Sequence, residues 1–138
     1  MRTQLFITIV FLVMTGWLAG WATPKPPQRV VWVTGLEAGK AARYESLPAH
    51  AWPGANRMSR ECHIRNFSIH ECESNGRPHL FADLEYTGTH FDADMVRRAA
   101  DPETQRWRKE TDPCPSPLPD AAVKGKIRLD TKEVYILP

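Results

Sequence analysis

Ser74-Asn75-Gly76 lies between two runs in which apolar and polar residues alternate: residues 63–71 (HIRNFSIHE) and 78–86 (PHLFADLEY). Alternation puts every second side chain of a strand on one face, and Ser-Asn-Gly is turn chemistry. The stretch predicts an antiparallel hairpin with a half-buried face. What flanks it decides what covers that face.

Before it, residues 29–36 (RVVWVTGL) are β-branched and aromatic and end at Gly35, the pattern of another strand. Residues 37–60 begin with good helix formers (EAGKAARYESL) but contain Pro48 and Pro53. A proline inside a helix costs about 3 kcal/mol, because it removes a hydrogen bond and crowds the preceding turn. Two helical pieces, or one kinked helix, are expected. After the hairpin, residues 91–100 predict a helix with Phe91, Met95 and Ala99 on one side. Asp101-Pro102-Glu103 then restarts a helix to about Thr111, with aspartate as cap and proline in the first turn. Residues 112–119 (DPCPSPLP) predict an extended, stiff loop, and residues 132–137 (KEVYIL) a last strand.

Strand, helix, strand, strand, helices, strand is the ferredoxin-like βαββαβ plan of an α+β domain: an antiparallel sheet with helices on one face. The other face of so small a sheet needs cover. Pairing with a second copy, sheet against sheet, supplies it; a ligand pocket is a compatible alternative.

The first 22 residues differ from the rest. Arg2 is their one charge, an apolar run follows, and Gly20-Trp21-Ala22 offers small residues at cleavage positions. This is the layout of a secretory signal peptide, with a retained N-terminal membrane anchor as the alternative. Residues 23–28 then form a linker and 29–138 the domain, in a periplasmic or secreted location. Lys and Arg number 18 against 16 Asp and Glu, so the part beyond Arg2 is nearly neutral. No nucleic-acid surface is expected, and Arg97-Arg98 and Arg106/Arg108/Lys109 are expected on solvated helix faces. Export permits disulfides; Cys62, Cys72 and Cys114 allow one bridge or none, and their spacing is not that of a zinc knuckle.

Taken in order, Tyr44, Trp52-Pro53, Ile64-Arg-Asn-Phe-Ser-Ile69, Leu80-Phe81, Leu84-Glu85-Tyr86, Ala93-Asp-Met95, Asp101-Pro102, Thr104-Gln-Arg-Trp107, Thr111-Asp112-Pro-Cys114 and Glu133-Val-Tyr-Ile-Leu-Pro138 resemble the L-rhamnose mutarotase family. The resemblance implies a dimeric α+β barrel, hence a homodimer. It also implies interconversion of the α and β anomers of a free monosaccharide, L-rhamnose or a related sugar. Such chemistry needs a general acid and a general base, aromatic faces and a few hydrogen-bonding groups, and no metal or redox cofactor.

In the family, tyrosine, histidine and Trp-Pro follow one another at four-residue spacing on the first helix. Here Tyr44 and Trp52 keep their places, while Pro48 occupies the histidine position. His50 lies two residues on; on a continuous helix it is turned by about 200°, so only a kink at Pro48 makes it a candidate catalytic group. The resemblance makes Tyr44, Phe67, Trp107 and Arg108 candidate substrate contacts. Phe67 stands where the family has a tyrosine, and Arg108 replaces the second of two tryptophans. A non-catalytic exported member of the fold, binding a sugar or a partner, is the rival expectation. An oxidative activity has no metal or haem ligand set to support it. His63, His70, His79 and His90 are expected at the surface.

Overall fold

The computed structural model describes residues 25–47 and 52–137. The expected leader, Pro48 and His50 lie outside the described residues. The elements are β1 (Gln28–Leu36), α1 (Ala41–Glu45), α2 (Pro53–Glu61), β2 (Ile64–Ser74), β3 (Arg77–Tyr86), α3 (Phe91–Ala100), α4 (Pro102–Thr111), β4 (Pro115–Ser116), α5 (Pro119–Ala122) and β5 (Leu129–Asp130). Strand order is β2-β3-β1-β4, all antiparallel, with β5 on the same edge of β1 as β4. This is the expected ferredoxin-like arrangement, and β1 begins one residue inside the expected linker.

The hairpin turns at Asn75 and Gly76, whose φ angles are 54° and 68°. Two consecutive left-handed residues match the twist of the strands they join, and Asn-Gly adopts that geometry readily. Asp101 caps α4, its side chain accepting from Thr104 N at 2.8 Å. The helical stretch before the hairpin is two helices, α1 and α2, not one. Gly54 lets α2 approach α4, since a Cβ there would lie 2.6 Å from Glu103 Cγ.

Register defines two sheet faces. Trp32, Thr34, Leu80, Leu84, Tyr86 and Ile64 point to the helices, and the described core forms two clusters there. One joins Leu36, Leu80 and Cys114, with Ala41 and Tyr44 against them. The other joins Ile64, Leu84 and Tyr86, with Trp32, Phe91 and Met95. Val31, Val33 and Phe81 lie on the opposite face, beside the Arg29–Asp83 ion pair at 2.8 Å.

The alternation of β2 is interrupted. Arg65 pairs with Glu85 and Ser68 with Asp83, so Asn66 and Phe67 together oppose Leu84 alone. Asn66 has φ 48° and donates from Nδ2 to Glu85 Oε2 at 2.7 Å. One extra residue reverses the facing of everything beyond it. Ile64 and, after the bulge, Phe67, Ile69 and Glu71 therefore share the helix side.

Two expectations are corrected. Residues 132–137 form no strand: the edge of β1 they would join is occupied by β5 and by Thr131, whose N–H donates to Val31 O at 3.1 Å. Val134 and Leu137 are left 90% and 80% exposed. The 112–119 loop is not wholly extended either; Pro119 starts the short α5. The cysteines are all unpaired, Cys62 and Cys114 buried and Cys72 exposed. No helix among the described residues is long and apolar enough to cross a membrane.

Candidate functional site

Between the helices and the sheet lies a cavity of about 640 Å³. It touches both core clusters, Ile64 of one and Leu80 and Tyr44 of the other. A smaller recess of about 30 Å³ shares Tyr44, Phe67, Arg98 and Trp107 with it. The sequence candidates come together here. Tyr44 of α1, Phe67 of β2 and Trp107 of α4 line both, Arg108 lines the recess, and Trp52 lines the cavity just ahead of α2. The bulge at Asn66 is what brings Phe67 in; an unbroken strand would turn it to the other face. His50 lies outside the described residues.

Arg98 sits at the centre, and its expected place on a solvated helix face is a further correction. It is only 9% exposed. Phe91, Met95 and Arg98 follow one another at helical spacing on the inward face of α3, so the apolar stripe carries the arginine in with it. Its guanidinium carbon lies 5.9 Å from the Phe67 ring centre and 5.8 Å from that of Trp107. Its Nε donates to Ser59 Oγ at 2.9 Å, and Ser59 in turn donates to Ala55 O. Burial, then repulsion from Arg108 and Arg128, pushes its pKa down to about 10. Arg97 beside it does face outward, near Glu61 at 3.5 Å.

Arg128, also missed from the sequence, lies with its guanidinium carbon 5.7 Å from the Trp32 ring centre and lines the recess. Burial and Arg108 lower its pKa, against the pull of Tyr44 and Asp112. No sequence signal marks it: residues 124–128 (KGKIR) read as a polar loop. Burial raises the Tyr44 phenol, and neighbouring Cys114 and Asp112 raise it further against Arg128. Tyr44 is therefore a neutral hydrogen-bond donor near pH 7. Glu45 and Glu71 are the carboxylates lining the larger cavity. Among the described residues no group of three His, Cys, Asp or Glu is placed to hold a metal.

A second polar cluster stands at the end of the sheet. Tyr86, buried at 2%, donates to Asp94 Oδ2 at 2.5 Å and accepts from His90 N at 3.0 Å. His63 Nδ1 lies 2.9 Å from the same Asp94 oxygen. Asp94 ties the end of β3 and the turn before β2 to α3. His63, His70 and His90 are exposed and His79 is half-buried.

A cleft between helices and sheet, faced with aromatic rings and hydrogen-bond donors, is the kind of site that suits a small polar ligand such as a sugar. The comparisons specify the class. The L-rhamnose mutarotase family model matches residues 29–137, and the chain belongs to that family. The crystal structure of an L-rhamnose mutarotase from Formosa agariphila superposes with a TM-score of 0.58 at 16% identity, covering 80% of this chain and 99% of that one. At that identity the likeness is one of fold. No curated protein matches the chain.

Proposed function

We propose that the protein is an exported isomerase of the mutarotase type, acting on the anomeric centre of a free monosaccharide bound in the cavity. The observation that carries this is the convergence of Tyr44, Trp52, Phe67 and Trp107 on one cleft in a chain of this family. Mutarotation takes a proton from the anomeric hydroxyl as another is delivered to the ring oxygen. The bond between ring oxygen and anomeric carbon breaks, the aldehyde rotates, and the ring closes on the other face. Tyr44, neutral and half-buried, suits the donor role. Phe67 and Trp107 offer planes for the C–H faces of the sugar. His50, the one histidine between Tyr44 and Trp52, is our candidate proton carrier.

The second reading, a sugar-binding member without catalysis, is favoured by one observation: no histidine lines the cavity among the described residues. A homodimer is part of the proposal. The outer face with Val31, Val33 and Phe81, and the exposed apolar tail through Val134, Tyr135, Ile136 and Leu137, are the surfaces a second copy would cover.

Saturation-transfer NMR of the L-rhamnose anomers tests the catalytic reading in the native protein and in Pro48→His and His50→Ala. Exchange above the buffer rate that disappears in His50→Ala supports the enzyme. Exchange gained only in Pro48→His supports the binding protein, with a pocket that lacks its acid–base group. Exchange in none of the three removes L-rhamnose as the ligand.

A further inference from the structure

Several exposed arginines of this protein are held in close ion pairs, although Arg60 and Arg77 are not. Arg29 meets Asp83, Arg43 meets Glu110, and Arg106 meets Glu103, each within 2.9 Å. The three around the recess are not. Arg98 spends only its Nε, on Ser59. Its η nitrogens, like the guanidinium groups of Arg108 and Arg128, make no ion pair or hydrogen bond among the described residues; Arg128 packs on the Trp32 ring, with Asp112 and Tyr44 nearby. No fully buried side-chain nitrogen or oxygen among the described residues lacks a partner, so the η nitrogens of Arg98 are open to the cavity.

The surroundings do not neutralise this charge. Asp112, exposed, is the one carboxylate at the recess among the described residues. Glu45 and Glu71 line the larger cavity together with Arg60 and Arg65. A neutral deoxysugar offers hydroxyls, which accept hydrogen bonds but bring no counter-charge. A guanidinium forks onto two oxygens of a carboxylate or phosphate with matching geometry.

We propose that the recess holds the anionic group of an acidic monosaccharide, a sugar bearing a carboxylate or a phosphate, with Arg98, Arg108 and Arg128 as its counter-charges. The Phe67 and Trp107 rings then lie against the carbon face of the same sugar. This rests on the sugar-binding reading above and narrows it. The lowered pKa of Arg98 and Arg128 points the same way: burial and mutual repulsion raise the energy of the charged form, and the attraction of an entering anion offsets it.

Titration calorimetry on the full-length chain tests it with five probes: D-galacturonate, D-glucose 6-phosphate, L-rhamnose, acetate and inorganic phosphate. One of the two acidic sugars should bind about tenfold or more tightly than L-rhamnose and weaken as salt rises. Which one does so separates carboxylate from phosphate. In Arg108→Gln and Arg128→Gln, with folding checked by circular dichroism, the affinity ratio of acidic to neutral sugar should fall about tenfold. L-rhamnose binding as tightly as both acidic sugars would overturn the proposal and leave the sugar reading intact. Acetate or phosphate binding as tightly as the sugar that carries it would overturn both, as would silence with every probe. A ratio unmoved in both variants would also overturn it.

Discussion

Asp94 and Arg98 stand one turn apart on α3, and their surroundings are opposites. Asp94 accepts from Tyr86 and meets His63, and the Tyr86 hydroxyl is itself used twice. Arg98 has one hydrogen bond and two aromatic rings, with further positive charge nearby. A buried polar network with every member satisfied holds elements together, whereas a buried charge left short of partners costs stability in the free protein. The contrast assigns Asp94 to architecture and Arg98 to whatever enters the cavity.

The largest expected effect is on the satisfied side. Tyr86→Phe leaves His90 N without a partner and Asp94 with His63 alone at the end of β3. We expect the melting temperature to fall by about 5 to 10 °C, measured calorimetrically. A fall near zero would mean that the network does not hold the end of β3 to α3.

Acid should expose the same network. Hydrogen bonds from Tyr86 and then His63 hold the Asp94 carboxyl below its ordinary value of 3.8. A carboxyl depressed in the folded state contributes stability that is complete above its unfolded pKa and drains away as pH falls through the folded one. Urea midpoints should therefore drop between about pH 5 and about pH 3. In Asp94→Asn the midpoint should start lower and vary less over that range. An equal slope in both proteins would place the acid sensitivity elsewhere.

Between the two clusters lies the bulge, and it tests how the sheet aims the site. Asn66 at φ 48° tolerates a left-handed backbone that a β-branched residue resists. Asn66→Val should lose about 1 to 2 kcal/mol in urea titration. It should also weaken sugar binding, because relaxing the bulge turns Phe67 away from Arg98.

These positions also mark what the sequence could and could not convey. The hairpin at Asn75-Gly76 and the cap at Asp101 were legible because each is fixed by a few neighbouring residues. The gathering of Tyr44, Phe67, Trp107 and Arg108 came from family resemblance, and the fold then placed them together. The bulge left only an asparagine inside an alternating run, and alternation alone would have faced Phe67 outward. Arg98 was misplaced because a charge at a helix position reads as solvated unless its neighbours at i−3 and i−7 are followed. The 132–137 segment has the composition of a strand, but pairing is decided by an edge far away in sequence, and Leu129, Asp130 and Thr131 reach it first.

The smallest expected effect is the most discriminating. Arg98→Met keeps an unbranched side chain between Phe67 and Trp107 and removes the charge, while Ser59 retains its bond to Ala55 O. If Arg98 were part of the scaffold, its loss should cost as much as Tyr86→Phe. If it serves the cavity instead, two opposing terms nearly cancel: the cation–ring attraction given up is offset by the burial and repulsion relieved. Unfolding free energy should then stay within about 1 kcal/mol of the native protein, or rise. The sign also shows in alkaline solution. A cation whose pKa is lowered on folding makes the native state more stable as pH climbs past about 10, and that gain should vanish in the variant. A large destabilisation in Arg98→Met would return this arginine to architecture, and the asymmetry along α3 would lose its functional meaning.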